Sequence, residues 1–537
     1  MNAEPNRRIP APPIAVLVGV ALIAAALLAV GLLGWFNRGD DDINADPGRL
    51  TETQPELPPN LVLPRLVDAG REWGLDAVAL EAASDPMAGG VASADFDEDG
   101  DLDLVIANGT VAIVFWEAGS YGQPVDLDVD DAIGVTTADV DGDVWIDILI
   151  SRAGDEDTIV WGGPWFITGE APAVTELPTP GASSALLAAE LSGDEAVDIV
   201  RLGRGTDDPV PDLLWLGDEN DRRSFEQTEL PQPDRFSLAG EILDVDLDGL
   251  LDIWITRDVG WDRGGDSVLS RKGVASGPWH DIAVDLGVAL EVDSMGITIA
   301  DLDGDGQPDA YVSDLGDNEQ LYGGDGSFTT VHDTGAARIR SPGAPTDTVS
   351  SSWGSGASDV NLDGVLDLVV VNGGFPDGGV RNKISGTEVA VEEPPSILLG
   401  LGSGSFIDAW PFLGVDLTMV ARGMTLTDVD GDGDDDIVIV DRRGGVTALR
   451  NDTVGMSLTV EAAFGCSTVG AMATVRSASG SYQTLLGGHT YGSGHGPQTI
   501  VGVGQQPLTI GVRWGHGLTT VEEVSVANGR EVLTVEC

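Results

Sequence analysis

The sequence predicts an all-β chain: a seven-bladed β-propeller with calcium-binding loops, a small C-terminal β domain and one N-terminal transmembrane helix. Three observations predict it. A nine-residue pattern, D-x-[DN]-x-D-G-x-x-D, recurs between Asp95 and Asp436. Its copies start 44 to 69 residues apart, the length of one four-stranded blade. Each copy is flanked by apolar runs such as Leu104-Val105-Ile106 and Ile437-Val438-Ile439, which read as strands rather than helices.

Full copies start at Asp95, Asp139, Asp244, Asp301, Asp359 and Asp428, and a degraded one at Glu190. Side-chain oxygens at positions one, three, five and nine, with a backbone carbonyl at position seven, suit a hard cation such as calcium. The first copy offers Asp95, Asp97, Asp99, the carbonyl of Asp101, and Asp103. The second offers Asp139, Asp141, Asp143, Trp145 and Asp147. The third offers Asp244, Asp246, Asp248, Leu250 and Asp252, and the fourth Asp301, Asp303, Asp305, Gln307 and Asp309. The fifth offers Asp359, Asn361, Asp363, Val365 and Asp367, and the sixth Asp428, Asp430, Asp432, Asp434 and Asp436.

A glycine stands at position six in five copies (Gly100, Gly249, Gly306, Gly364, Gly433), where the backbone turns most sharply. Val144 takes that place in the Asp139 copy, so strain is expected there. The Glu190 copy offers only Glu190, Ser192, Asp194 and Asp198, lacks that glycine, and is expected to stay empty. About six calcium ions are therefore expected. Chance does not explain the set: at this chain's Asp frequency roughly 0.1 copies would arise at random.

An EF-hand begins its loop the same way but needs a bidentate Glu at position twelve and a helix on each side. Position twelve here is Ile106, Ile150, Ile255, Val312, Val370 or Ile439. Position two is apolar in every copy, as in Phe96, Val140 and Leu302. Both facts place the loops between strands. A second element repeats as well. Leu66-Val67-Asp68-Ala69, Trp279-His280-Asp281-Ile282 and Phe406-Ile407-Asp408-Ala409 each lead to a glycine six residues after the Asp, and read as outer hairpins of blades.

On these residues the loops resemble the FG-GAP or VCBS repeats of integrin α-subunit propellers. Residues 454–537 resemble the ASPIC and UnbV domain, which follows such repeats in cartilage acidic protein and its bacterial relatives. Val469-Gly470-Ala471, Gly487-Gly488-His489-Thr490-Tyr491-Gly492-Ser493 and Val512-Arg513-Trp514-Gly515 carry that second likeness. Trp514-Gly515-His516-Gly517 stands where that family often has Trp-Pro-Ser-Gly. The resemblance divides the chain into a propeller over 61–453 and a β domain over 454–537. It implies adhesion or recognition of an extracellular protein or glycan.

Ile14 to Phe36 is a run of 23 uncharged, mostly apolar residues, long enough as a helix to cross a bilayer. Arg7 and Arg8 precede it and Asp40, Asp41 and Asp42 follow, which places residues 1–13 in the cytoplasm and the rest outside. The alternative is a cleaved signal peptide, whose apolar core is usually about 7–15 residues. Residues 37–60 are acidic and Pro-containing, a linker from the membrane. Arg38-Gly39-Asp40 within it is read as coincidence, because it abuts the bilayer.

The net charge of −62 repels nucleic acid and anionic lipid, and six calcium ions would offset only twelve of those charges. Cys466 and Cys537 are the two cysteines; outside the cell they are expected to pair, with two free thiols as the alternative. Asn108-Gly109-Thr110 and Asn451-Asp452-Thr453 are glycosylation acceptors if the source glycosylates. The sequence shows no G-x-S-x-G elbow and no zinc-type Cys cluster. The five histidines are expected at surfaces or turns, with His489, Tyr491 and His495 as candidates for a ligand groove.

The expected function is therefore a membrane-anchored, extracytoplasmic, calcium-binding recognition module without catalytic residues. The alternatives are a calcium-dependent polysaccharide-active enzyme and a structural component of an envelope assembly, the latter hinted at by small residues along the apolar helix.

Overall fold

A computed structural model describes residues 57–537 apart from 79, 81–82, 155, 206–209, 232–235, 325, 333, 338–347, 376–387, 464–465, 478–480, 505, 516, 518 and 528. The chain divides into two units, Met1–Asn60 and Leu61–Cys537. The expected membrane span at 14–36 and most of the linker at 37–60 lie outside the described residues. Among the described residues no helix is long and apolar enough to cross a membrane.

The second unit is almost all β, arranged as a β-propeller. Its described helices are single turns of three or four residues. Each copy of the repeated loop joins an inner strand to the strand beside it, which starts at the position-nine Asp. Ser294–Ala300 thus leads through the Asp301 loop into Asp309–Asp314, and Ala421–Thr427 leads through the Asp428 loop into Asp436–Asp441. Two further antiparallel strands complete a typical sheet, as in Ser183–Ala189, Asp198–Gly203, Leu213–Asp218 and Asp221–Glu229. The inner strands stand side by side in chain order, and Ala421–Thr427 returns against Gly90–Ala94 to close the ring. Leu66–Asp68 pairs with Gly445–Asn451 as the outer strand of the last sheet, so the two ends of the propeller chain latch together.

The apolar runs are explained by burial on both faces. In Asp436–Asp441, Ile437 and Ile439 pack against the preceding sheet, beside Val369, Val371 and Ile397. Val438 and Val440 pack against the following sheet, beside Val91, Leu104 and Ile106. All four are fully buried, and each such side chain stabilises the fold by roughly 1.5–3 kcal/mol. Leu66–Asp68, His280–Asp281 and Phe406–Asp408 are outer strands, each followed by a one-turn helix. Asp408 Oδ1 accepts the N–H of Trp410, the first residue of the following turn, at 3.0 Å.

Residues after 454 do not stand apart from the ring. Ser481–Leu485 continues the sheet of Ser294–Ala300 through Ala300 and Thr484, beside Met472–Arg476, Leu508–Arg513 and Thr519–Val524. Cys466 and Cys537 form a disulfide across 71 residues. Between these strands a glycine-rich hairpin, residues 487–496, enters the axis of the ring. The carbonyl of Gly492 accepts the N–H of Val135 at 3.0 Å, Ser493 Oγ that of Val91 at 3.1 Å and Thr490 Oγ1 that of Ser355 at 2.8 Å. Tyr491, fully buried, stacks edge-on to Trp353 and donates its hydroxyl to the carbonyl of Met87. The inner strands make room with glycine: a Cβ on Gly90 would lie 1.9 Å from the Gly492 oxygen.

That hairpin corrects one expectation and narrows another. His489 and Tyr491 are buried and His495 half-buried rather than exposed at the surface; His489 and His495 line a small cavity with Glu241 and Leu426, while Tyr491 is enclosed in the axis. His489 is bonded through Nδ1 and its backbone N–H to the buried carboxylate of Glu241. His495 Nδ1 faces the Leu426 N–H and Nε2 the Ser355 carbonyl, and burial lowers its pKa to about 4. Both glycosylation acceptors are also ruled out as accessible sites. Asn108 and Asn451 are fully buried, and their side-chain amides donate to the carbonyls of Asp441 and Val360.

Candidate metal centres

The loops share one backbone. Position six lies at positive φ in all of them, from Glu195 at 71° to Gly433 at 97°. Position four does so too: Glu98, Gly142, Gly193, Leu247, Gly304, Leu362 and Gly431 lie between 55° and 84°. Two left-handed residues curl the chain so that the odd-numbered side chains converge. Val144 at φ 76° is the strained member, a β-branched residue where glycine belongs. The Glu190 loop keeps the same curl without the full ligand set.

Position one organises the turn. Asp95 accepts the N–H groups of Asp99 and Gly100 at 3.1 and 3.0 Å, and Asp428 those of Asp432 and Gly433 at 2.9 and 3.0 Å. Position nine pins the blade. Asp309 Oδ2 accepts the N–H of Leu302 at 2.8 Å, and its Oδ1 accepts that of Gly323 on the third strand at 2.8 Å. Asp103, Asp147 and Asp436 make the same double contact, to Phe96 and Trp116, Val140 and Gly162, and Val429 and Asn451. Asp198 repeats it in the degraded loop, to Leu191 and Gly217. Position nine therefore has a structural duty independent of any ion. At position seven, the N–H groups of Asp101, Trp145, Leu250, Gln307 and Val365 donate to the position-five carboxylates Asp99, Asp143, Asp248, Asp305 and Asp363.

Five loops bring three carboxylate oxygens within 4.8 Å of one another. The trios are Asp95, Asp97 and Asp99; Asp139, Asp141 and Asp147; Asp244, Asp246 and Asp248; Asp301, Asp303 and Asp309; and Asp428, Asp430 and Asp436. The structure therefore draws on position five in two loops and position nine in three. The Asp359 loop forms no such trio, because position three is Asn361, whose Nδ2 donates to the Val62 carbonyl and to Asp363. Asp359 Oδ2 there accepts from Gly364 and Gly502. In the Glu190 loop, Ser192 donates to Asp194 and Glu190 accepts from Gly193 and Asp194.

Calcium fits this donor set on an independent observation. Asp244 Oδ1, Asp252 Oδ1, Asp367 Oδ2 and Asp434 Oδ1 are buried acceptors without a hydrogen-bond donor. A buried carboxylate oxygen left so costs stability unless a proton or a cation meets it. The titration behaviour agrees. Burial first, and neighbouring carboxylates second, push Asp103 up to about 8 and Asp147, Asp252 and Asp309 to about 7. Asp434 rises to about 10 through burial and its neighbours Asp432, Asp436 and Asp428.

Several of these features escape sequence reading. Position four has a partial signal, glycine in Gly142, Gly193, Gly304 and Gly431. The arginines that touch the loops have none. Arg223 pairs with Asp141 and Asp143, Arg513 with Asp244 and Arg530 with Asp428.

No family model matches the chain, and no curated protein matches it. Among solved structures it is similar to BBS1N in complex with ARL6DN, with a TM-score of 0.42 and 12% identity over 73% of this chain and 98% of that one. It is also similar to Saccharomyces cerevisiae Sqt1, with a TM-score of 0.38 and 9% identity over 70% and 98%. The propeller assignment rests on this chain's own strand pairing.

Proposed function

We propose that this chain is a membrane-anchored, extracytoplasmic recognition module: a seven-bladed propeller held together by calcium, presenting its blade-connecting loops to a protein or glycan. One observation carries the reading. Carboxylate trios recur at the same turn in five of the loops, alongside buried carboxylate oxygens that have no donor. Ions there would neutralise the clustered charge and tie inner strand to second strand in each blade. The residues quoted for the FG-GAP or VCBS repeats and for the ASPIC and UnbV domain support the same reading, as do the apolar run 14–36 and its flanking charges.

The loops support the count of seven blades. Each of the seven copies opens a second strand, and the inner strands close on themselves. The axis is filled by 487–496, so ligands would meet the rim and faces of the ring rather than a channel.

The test is melting with and without chelator. A loop with Kd about 0.1 mM gains about 1.8 kcal/mol at 2 mM calcium, so five loops would add at most about 9 kcal/mol if all bound that tightly. A melt unmoved by EDTA would contradict structural calcium. Glycan-array and pull-down binding that vanishes in EDTA and returns with calcium would support the recognition role. Ligand capture indifferent to calcium would separate recognition from the ions.

A further inference from the structure

Three of the loops carry a guanidinium group already in contact with their carboxylates. Arg223 lies on the outer strand Asp221–Glu229, with its guanidinium over the Trp161 ring at 4.7 Å. Its Nη2 stands 2.5 Å from Asp141 Oδ2 and 3.5 Å from Asp143 Oδ2. Arg513, at the end of Leu508–Arg513, places Nη1 2.9 Å from Asp244 Oδ2. Arg530 places Nη2 3.4 Å from Asp428 Oδ2, and its stem runs so close to Gly433 that a Cβ there would lie 2.8 Å from the Arg530 Cδ. Asp141, Asp244 and Asp428 all belong to the carboxylate trios. Among the described residues, no ion pair with arginine involves the trios of the Asp95 and Asp301 loops.

We infer that Arg223, Arg513 and Arg530 are built-in competitors for divalent cations, so that the chain holds two classes of loop: tight ones at Asp95 and Asp301, and weaker ones at Asp139, Asp244 and Asp428. The inference rests on the cation reading proposed above. A guanidinium that donates to a ligand oxygen occupies one of its lone pairs and sets a like charge beside the ion. A cation entering these three loops must displace or repel that group; one entering the other two does not. Two of the guarded loops are still shaped for a ligand: Asp244 Oδ1 and Asp434 Oδ1 have no donor and sit in residues only 5% and 2% exposed.

Two of the three arginines belong to the C-terminal strands. Filling the Asp244 and Asp428 loops is therefore linked to how those strands sit on the ring. At low calcium the arginines clasp the C-terminal strands to the loops; at high calcium the ions take over the carboxylates.

The experiment is a calcium-binding isotherm, by equilibrium dialysis with elemental analysis, on the purified full chain and its variants. Wild type is expected to show a tight class and a class at least tenfold weaker. Arg223→Gln, Arg513→Gln and Arg530→Gln are each expected to move one site from the weak to the tight class. These side chains are 41%, 30% and 34% exposed, so each single variant is expected to fold, which circular dichroism checks. Arg71→Gln, at a side chain 93% exposed whose ion pair is with Asp76, removes the same charge away from the loops and is expected to change nothing. One class of equivalent sites, unmoved by the three variants, would overturn the inference while leaving calcium binding intact. An equal gain from Arg71→Gln would overturn it in favour of bulk charge. No calcium uptake by wild type or any variant would remove the cation reading and this inference with it.

Discussion

Asp309→Ala and Asp303→Ala separate the two duties of a loop carboxylate. Asp309 is fully buried and accepts three N–H groups, those of Leu302, Asp303 and Gly323. Alanine strands all three, the Leu302 donor buried and the Asp303 and Gly323 donors partly buried. A buried donor left unpaired costs about 1–3 kcal/mol and a partly buried one lies toward the low end of that range, so the loss is roughly 3–6 kcal/mol even without calcium. Part of that is offset because burial holds the Asp309 carboxyl up to about 7, so its charged form is itself disfavoured. Asp303 is half-buried and accepts one N–H, from Asp305 at 3.0 Å. Its removal costs about 1 kcal/mol in EDTA, but it takes away an ion ligand. Urea unfolding in EDTA and in 2 mM calcium reads both terms. Asp303→Ala is expected to lose about 1 kcal/mol in EDTA and about 3 kcal/mol in calcium, the difference of about 2 kcal/mol being the contribution of one ion. Asp309→Ala is expected to be destabilised in both. Equal losses for the two variants in EDTA would refute the assignment of position nine as the pin between strands.

The remaining expectations concern charge, strain and the axis. Asp103, Asp147, Asp252 and Asp309 titrate at about 7–8 in the fold against 3.8 ordinarily, so the folded state binds more protons between about pH 4 and 8. Stability without metal should therefore fall as pH rises through that window, and calcium should flatten the profile; a chelated melt that rises from pH 5.5 to 8 contradicts this. Val144→Gly relieves a β-branched residue at φ 76°. Relief of about 1–2 kcal/mol against about 0.5–1 kcal/mol of added chain entropy gives a net gain near 1 kcal/mol, and a melting temperature below wild type would count against strain there. Tyr491→Ala empties the axis of a fully buried ring and should cost about 3–5 kcal/mol with or without calcium; a loss under about 1 kcal/mol would mean the hairpin is not structural.

What was legible in the sequence is what repeats locally. Loop spacing, the apolar residue at position two and the runs after position nine placed strand, turn and strand correctly, because both faces of each strand are buried and the turn chemistry lies within nine residues. The outer hairpins at Asp68, Asp281 and Asp408 were legible for the same reason. What was not legible depends on partners far away in the chain. Position nine reaches Gly323 or Trp116 on the third strand, which no nine-residue pattern reports. Tyr491 meets Met87 across 404 residues, and Arg513 meets Asp244 across 269. The run from Gly487 to Gly496 looks like a loop in composition, and only the ring around it makes it a plug. Buried Asn108 and Asn451 show the same limit, since a three-residue acceptor pattern carries no burial.

The most direct test is a crystal structure of the full chain grown in millimolar CaCl₂. Ions are expected among the carboxylates of the Asp95 and Asp301 loops at full occupancy, each bound to the position-one and position-three Asp. Well-ordered loops holding only water or protein donors at those two turns would contradict it.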